Sequence, residues 1–192
     1  MPMIRSTSSL MNRRTLLYAI GAVAATPLVS IAAKATEPAV AKPGESRFAY
    51  ANPQQAALSP CKLTSADSAG MLSTFELIVP SRSGPVRHVH HREDEWIYVI
   101  AGQFRFEVGN DKLDLAPGGS VWMPRDIAHV WGNASQSDGK LLMACQPGGF
   151  EKFFDEIGKT SATDTAQITK VMAEYGMDYA GPPLFGAWRQ QR

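Results

Sequence analysis

Gly84-Pro-Val-Arg-His88-Val-His90-His-Arg-Glu-Asp-Glu95-Trp-Ile-Tyr-Val-Ile-Ala-Gly102 is the stretch on which the reading of this chain turns. One residue separates His88 from His90, and side chains alternate faces along a strand, so both imidazoles point the same way. Glu95 follows after a gap of four residues, a short loop's length. Trp96 to Ala101 is apolar at every position, as expected of a strand covered on both sides. Further on, Gly118-Gly-Ser-Val-Trp-Met-Pro124-Arg-Asp126-Ile-Ala-His129-Val-Trp-Gly-Asn133 offers a third imidazole on another strand. Three nitrogens and one carboxylate oxygen suit a borderline divalent metal that keeps positions open for water or substrate. The chain has four histidines. The remaining one, His91, has the opposite strand parity and reads as an exposed loop residue.

Outward from these two stretches the pattern stays that of short strands. Phe75, Leu77 and Val79 face one way, and Thr74, Glu76 and Ile78 the other. Gly102 to Val108 alternates with Phe104, Phe106 and Val108 apolar, and Gly109-Asn110-Asp111 supplies hairpin chemistry before Lys112–Leu115. Val121–Met123, His129–Asn133 and Leu141–Gln146 complete the run. Such spacing predicts an all-β fold, a small jelly-roll barrel. Beyond it the period changes. Phe150–Ile157 reads as a short helix ended by Gly158. Asp164 can cap a second helix, with Gln167 as its box partner and an apolar stripe at Ile168, Val171, Met172 and Tyr175. The expected organisation is an export signal over 1–35, a linker and edge segment over 36–60, a barrel over 61–149 and a helical tail over 150–192 packing on the barrel.

The two histidine-bearing stretches resemble the two motifs of the cupin superfamily. Six residues separate Glu95 from Gly102, five separate Gly118 from Pro124, and His129 and Asn133 follow at the matching positions. Gly84 lies nearer the histidines than the family's opening glycine, and Asp126 stands where a glycine is usual; both departures concern turns, not ligand positions. The resemblance covers about Leu72 to Gln146. It implies a single cupin jelly roll in which His88, His90, Glu95 and His129 hold one divalent transition metal: Fe, Mn, Ni, Co, Cu or Zn. Pro147-Gly-Gly-Phe150-Glu-Lys-Phe-Phe154, with Tyr175-Gly176 and Gly181-Pro-Pro183, is similar to single-domain cupins described as quercetin 2,3-dioxygenase-like.

The N-terminus carries a different signal. Arg13-Arg14-Thr15-Leu16-Leu17 precedes an apolar run from Tyr18 to Ala33 that closes on Ala33-Lys34-Ala35, a small-x-small cleavage pattern. The paired arginines resemble the twin-arginine type of export signal, which implies a periplasmic or secreted protein folded around its metal before export. No stable membrane anchor is expected after cleavage, since Pro27 breaks the run short of a spanning helix. Residues 1–35 hold four cations and no acid. Removing those four from the 19 in the chain leaves 15 against 18 acidic residues, a net charge of −3. That balance predicts no nucleic-acid partner. Charged residues make up 19% and hydrophobic ones 44%, composition enough for a packed core. Cys61 and Cys145 read as two separately buried thiols, although an oxidising compartment would permit a disulfide.

Parity places Trp131 and Asn133 on the face of His129, and Ile97 and Val99 on that of Glu95. All four are expected to line an apolar pocket, while Trp122 reads as structural filling of the barrel. A small-molecule substrate binding through an oxygen fits such a pocket. The leading expectation is a metal-dependent dioxygenase acting on an aromatic or enol-bearing molecule, flavonol-like by resemblance, with Glu95 as ligand or general base. The alternatives are a periplasmic binding or sensing protein without turnover, and a metal-dependent isomerase or lyase. A homodimer is left open.

Overall fold

The computed structural model of the chain describes residues 37–161 and 163–187. The export signal read into residues 1–35 lies outside them. The element order is α1 (Pro53–Leu58), β1 (Cys61–Leu63), β2 (Ser73–Val79), β3 (Ser83–Gly84), β4 (Arg87–His90) and β5 (Asp94–Ala101). It continues with β6 (Phe104–Val108), β7 (Asp111–Leu115), β8 (Ser120–Met123), β9 (His129–Asn133) and β10 (Gly139–Gln146). The tail adds α2 (Phe150–Gly158), α3 (Thr165–Glu174), β11 (Met177–Gly181) and β12 (Gly186–Ala187).

Ten of these strands form two five-stranded antiparallel sheets, ordered β1-β2-β10-β5-β8 and β11-β4-β9-β6-β7, while β12 pairs with β3 in parallel. The architecture is the expected jelly roll with helices. Strand β2 alternates as its sequence demands, with Phe75, Leu77 and Val79 wholly buried. The inner faces of β5, β6 and β10 add Ile97, Val99, Phe104, Phe106, Leu141 and Met143 to one core between the sheets. Burying each such side chain contributes about 1.5–3 kcal/mol. Cys61 and Cys145 are both buried and free. Burial pushes the Cys61 thiol up to about 12 and the Cys145 thiol well above its ordinary value, so both are inert at neutral pH.

Several expectations need correcting. Strand β5 is covered on one face only, since Tyr98 and Ile100 are 36% and 42% exposed. A run of apolar residues does not reveal which layers flank a strand. Trp122 does not fill the barrel: it is 49% exposed on the outside of β8, opposite Trp96, while Val121 and Met123 point inward. The segment read as linker and edge strand contains helix α1. Asn52 caps it, its side chain accepting from the Gln54 N–H, and Pro53 occupies the first turn. The tail is not purely helical. After α3, capped by Asp164 accepting from the Gln167 N–H at 2.9 Å, the chain returns as β11 and pairs with β4.

Helix α2 is fastened to the barrel by one buried carboxylate. Glu151 accepts from the Ser65 N–H at 3.0 Å and from the Ser65 and Ser73 hydroxyls, each at 2.6 Å. Burial raises this acid's pKa, but these hydrogen bonds outweigh it and hold the carboxyl below its ordinary value. Glu151→Ala leaves the serine hydroxyls without their anion and should destabilise the fold by about 2–3 kcal/mol. Urea unfolding at neutral pH measures this. Because the folded pKa lies below the unfolded one, the contribution is complete above the ordinary carboxylate range and declines as pH falls through it. The gap between wild type and variant should therefore narrow in acid.

Candidate metal centre

The four motif residues converge between the two sheets. His88 and His90 project inward from β4, His129 lies directly across from His88 on β9, and Glu95 enters from β5 of the opposite sheet. All four are buried, at 7%, 1%, 0% and 2% exposure for His88, His90, His129 and Glu95. Each offers one ligand atom, and these atoms lie within 4.8 Å of one another. His88 Nε2 is 3.1 Å from His90 Nε2, and Glu95 Oε2 stands 3.4 Å from His90 Nε2 and 3.7 Å from His129 Nε2.

Hydrogen bonds behind the rings set which nitrogen is free. His88 Nδ1–H donates to the Val86 carbonyl at 2.7 Å, and His129 Nδ1–H donates to that of Ile127 at 3.0 Å. Both rings thus turn Nε2 into the cluster. His129 Nε2 and Glu95 Oε1 are buried without a partner in the protein. Orphaned acceptors of this kind are costly unless a cation or donor meets them. The donor set, its spacing and its unmet lone pairs fit a divalent metal.

The electrostatics agree. Burial, with the neighbouring His129 and His90 rings, lowers the His88 pKa well below its ordinary value, which keeps that ligand neutral. Burial disfavours the charged His90 ring as well, but Glu93 and Glu95 outweigh it and raise His90 to about 9. Burial likewise opposes an ionised Glu95, yet His129 and His90 hold its carboxyl below the usual carboxylate range.

Sequence reasoning missed Glu93. Its Oε2 faces His90 Nδ1 at 3.5 Å, too long for a completed hydrogen bond, and both atoms are otherwise unpartnered. A carboxylate behind a ligating histidine fixes the ring's tautomer and raises its basicity. Nothing in the motif distinguishes Glu93 from its neighbour Asp94, which instead pairs with Arg125 at 2.7 Å. Glu93→Gln should weaken metal binding roughly 10- to 100-fold while leaving all four ligands in place. Competition against a chelator of known affinity reads this out. Unchanged affinity would remove Glu93 from the centre.

The departures noted at the two turns are accommodated locally. Asp126 adopts a left-handed backbone with φ of 64°, a conformation that Asp tolerates better than most residues, and its N–H donates to the His90 carbonyl. Gly84 runs so close to β9 that a Cβ there would stand 2.2 Å from the Trp131 carbonyl oxygen. His91 is exposed, as expected, and its ring nitrogens meet Asp126 at 2.6 Å and Asp178 at 3.0 Å.

A cavity of about 110 Å³ adjoins the cluster. His88, Glu95 and Trp131 border it from the barrel, and Phe154, Ile157 and Met172 from the helices. Of the four expected lining residues only Trp131 is there. Ile97 and Val99 share the face of Glu95 but are wholly buried in the core. Asn133 ties loops together, its Nδ2 donating to the carbonyls of Val79 and Ser137. The helical tail supplies much of the wall instead, through a stripe that was legible as packing surface but not as the wall of a cavity.

Residues 74–145 match the family described as Cupin domain, a span from β2 to β10 that includes all four candidate ligands. The match supports the cupin superfamily for this part of the chain. No curated protein matches significantly. Similar solved structures include KdgF from Halomonas sp., at 20% identity and a TM-score of 0.44, covering 49% of this chain and 81% of that one. TT1209 from Thermus thermophilus is 22% identical with a TM-score of 0.43, covering 57% and 98% respectively. An RmlC-like cupin from Shewanella frigidimarina is 20% identical with a TM-score of 0.39, covering 43% and 72%.

Proposed function

We propose that this protein is a metal-dependent enzyme, a dioxygenase in its leading reading, acting on a small enol-bearing or aromatic molecule. The observation that carries the reading is the buried cluster of three imidazoles and one carboxylate, with orphaned acceptor atoms, beside an apolar cavity. The size of that cavity narrows the substrate. An engineered cavity of about 150 Å³ takes a benzene ring, so the part of a substrate that enters one of about 110 Å³ is on the scale of a single ring or a compact enol.

His88, His90, His129 and Glu95 would hold the ion. Bound there, it would supply Lewis acidity, lowering the pKa of a hydroxyl oxygen on the substrate. The protein's own part is to receive and position. Glu95 has one oxygen without a hydrogen-bond partner in the protein, which leaves it placed to accept the proton of a hydroxyl that the ion would acidify. Phe154, Ile157 and Met172 set an apolar wall beside the reacting face, where a lower local dielectric would strengthen the electrostatic effect of the carboxylate. The Arg13-Arg14 pair supports export of the folded, loaded protein by the twin-arginine route.

Oxygen uptake on adding single-ring enols and catechols to metal-loaded protein, with metal-depleted protein as control, tests the reading. Metal-dependent uptake supports it. Turnover without oxygen would reassign the protein to the isomerases or lyases, and saturable binding without turnover to a sensing role.

A further inference from the structure

Gln55 lies on α1, outside both motifs, and is 3% exposed. It borders the same cavity as His88 and Glu95. Apart from those two ligands and the Trp131 indole, it is the polar side chain in a lining that is otherwise apolar or backbone. Its hydrogen bonds fix which end of the amide is free. Ser59 Oγ lies 3.0 Å from the main-chain carbonyl oxygen of Gln55. A carbonyl cannot donate, so the hydroxyl spends its single proton there. The other contact of Ser59 Oγ, at 2.6 Å, must then be received from the Gln55 Nε2–H. Oε1 is left buried with no partner in the protein. Gly158 of α2 gives this side chain its room: a Cβ there would stand 3.0 Å from Gln55 Cβ and Cγ and 3.4 Å from Oε1. A buried acceptor without a donor is costly, and a ligand that brings the donor removes the cost.

We propose that Gln55 determines specificity: its Oε1 accepts a hydrogen bond from a hydroxyl or N–H on the part of the substrate that meets the helical cover. The preferred substrate is then a compact enol carrying a metal-binding oxygen and a second, donor group. This rests on the metal-dependent reading of the site above.

Kojic acid and allomaltol test it. Both are single-ring enol-ones that bind metals, and they differ by one hydroxyl on the ring substituent. Zinc-loaded protein is used, because zinc has no redox chemistry and binding is read without turnover. Calorimetry should show kojic acid binding roughly tenfold tighter than allomaltol to the wild type. Gln55→Leu should erase that preference by weakening kojic acid, with zinc content unchanged. Gln55→Met, equal in length and unbranched, carries the same comparison if the leucine variant does not fold. An equal preference in wild type and variant overturns the proposal, as does zinc-loaded protein that binds neither probe or both alike. In these outcomes the retained zinc leaves the metal-dependent reading standing. Wild-type protein that holds no zinc at His88, His90, Glu95 and His129 overturns both.

Discussion

His129→Ala is expected to strip the protein of its metal. The ring is wholly buried on β9, its Nδ1 is held by the Ile127 carbonyl, and its Nε2 has no hydrogen-bond partner. Its loss leaves two imidazoles and one carboxylate around the ion. Outer-shell changes alone cost roughly 10- to 100-fold in metal affinity, so removal of a ligand should cost at least about a hundredfold. The metal-to-protein ratio after gel filtration would fall to background while the circular dichroism stays β-rich. His91→Ala is the internal control, since its Asp126 and Asp178 partners are all on the surface. A ratio that survives in His129→Ala would sink the assignment. The wild type should also show a pH signature. His90, raised to about 9 by Glu93 and Glu95 against the effect of burial, must lose its proton to ligate. Affinity should rise about tenfold per pH unit through the neutral range and level off once that ring is neutral.

Glu95→Gln is expected to separate holding the metal from turning over substrate. Glutamine keeps the length and one oxygen donor but cannot accept the substrate's proton. Rates should fall roughly 10²- to 10⁴-fold, the usual range for loss of a general base, with much of the metal retained. Metal content and oxygen uptake measured on one preparation decide it. Full metal with a near-normal rate would acquit Glu95 as the base, and joint loss of both would make it a ligand first. With the metal site kept saturated at each pH, the wild-type rate should not decline on the acid side through the ordinary carboxylate range. In the metal-free protein His129 and His90 hold the Glu95 carboxyl below that range despite burial, and a bound cation would favour the same ionised form.

Much of the centre was legible because its logic is local. The parity of His88 and His90 follows from the two-residue repeat of a strand, and both project into the cluster. The alternation of Phe75, Leu77 and Val79 follows from the same repeat. Asp126 shows a limit of motif reading. It looked like a departure that endangered a turn, yet the backbone simply takes the left-handed conformation there. Helix α1 was legible in principle, since Asn52-Pro53 is a start signal, but a helix of six residues has too few turns to show an apolar stripe.

By itself, then, the sequence determined most of the barrel strands, the inward faces of β2 and β6 and the identity of the four convergent candidate ligands. Each depends on a periodicity or a spacing carried within a few residues. Only the tertiary structure decided what covers those faces. Ile97, Val99 and Asn133 have the parity of the ligands but lie outside the cavity wall, because parity gives a direction and not a depth. Tyr98 and Ile100 are as apolar as their neighbours yet lie on the exposed face of β5. The tail does return, pairing β11 with β4 and setting Met172 and Phe154 against the cavity that His88 and Glu95 border. Contacts between segments so far apart in the chain arise from which apolar surfaces can be buried together once the sheets exist, and no local pattern encodes that choice.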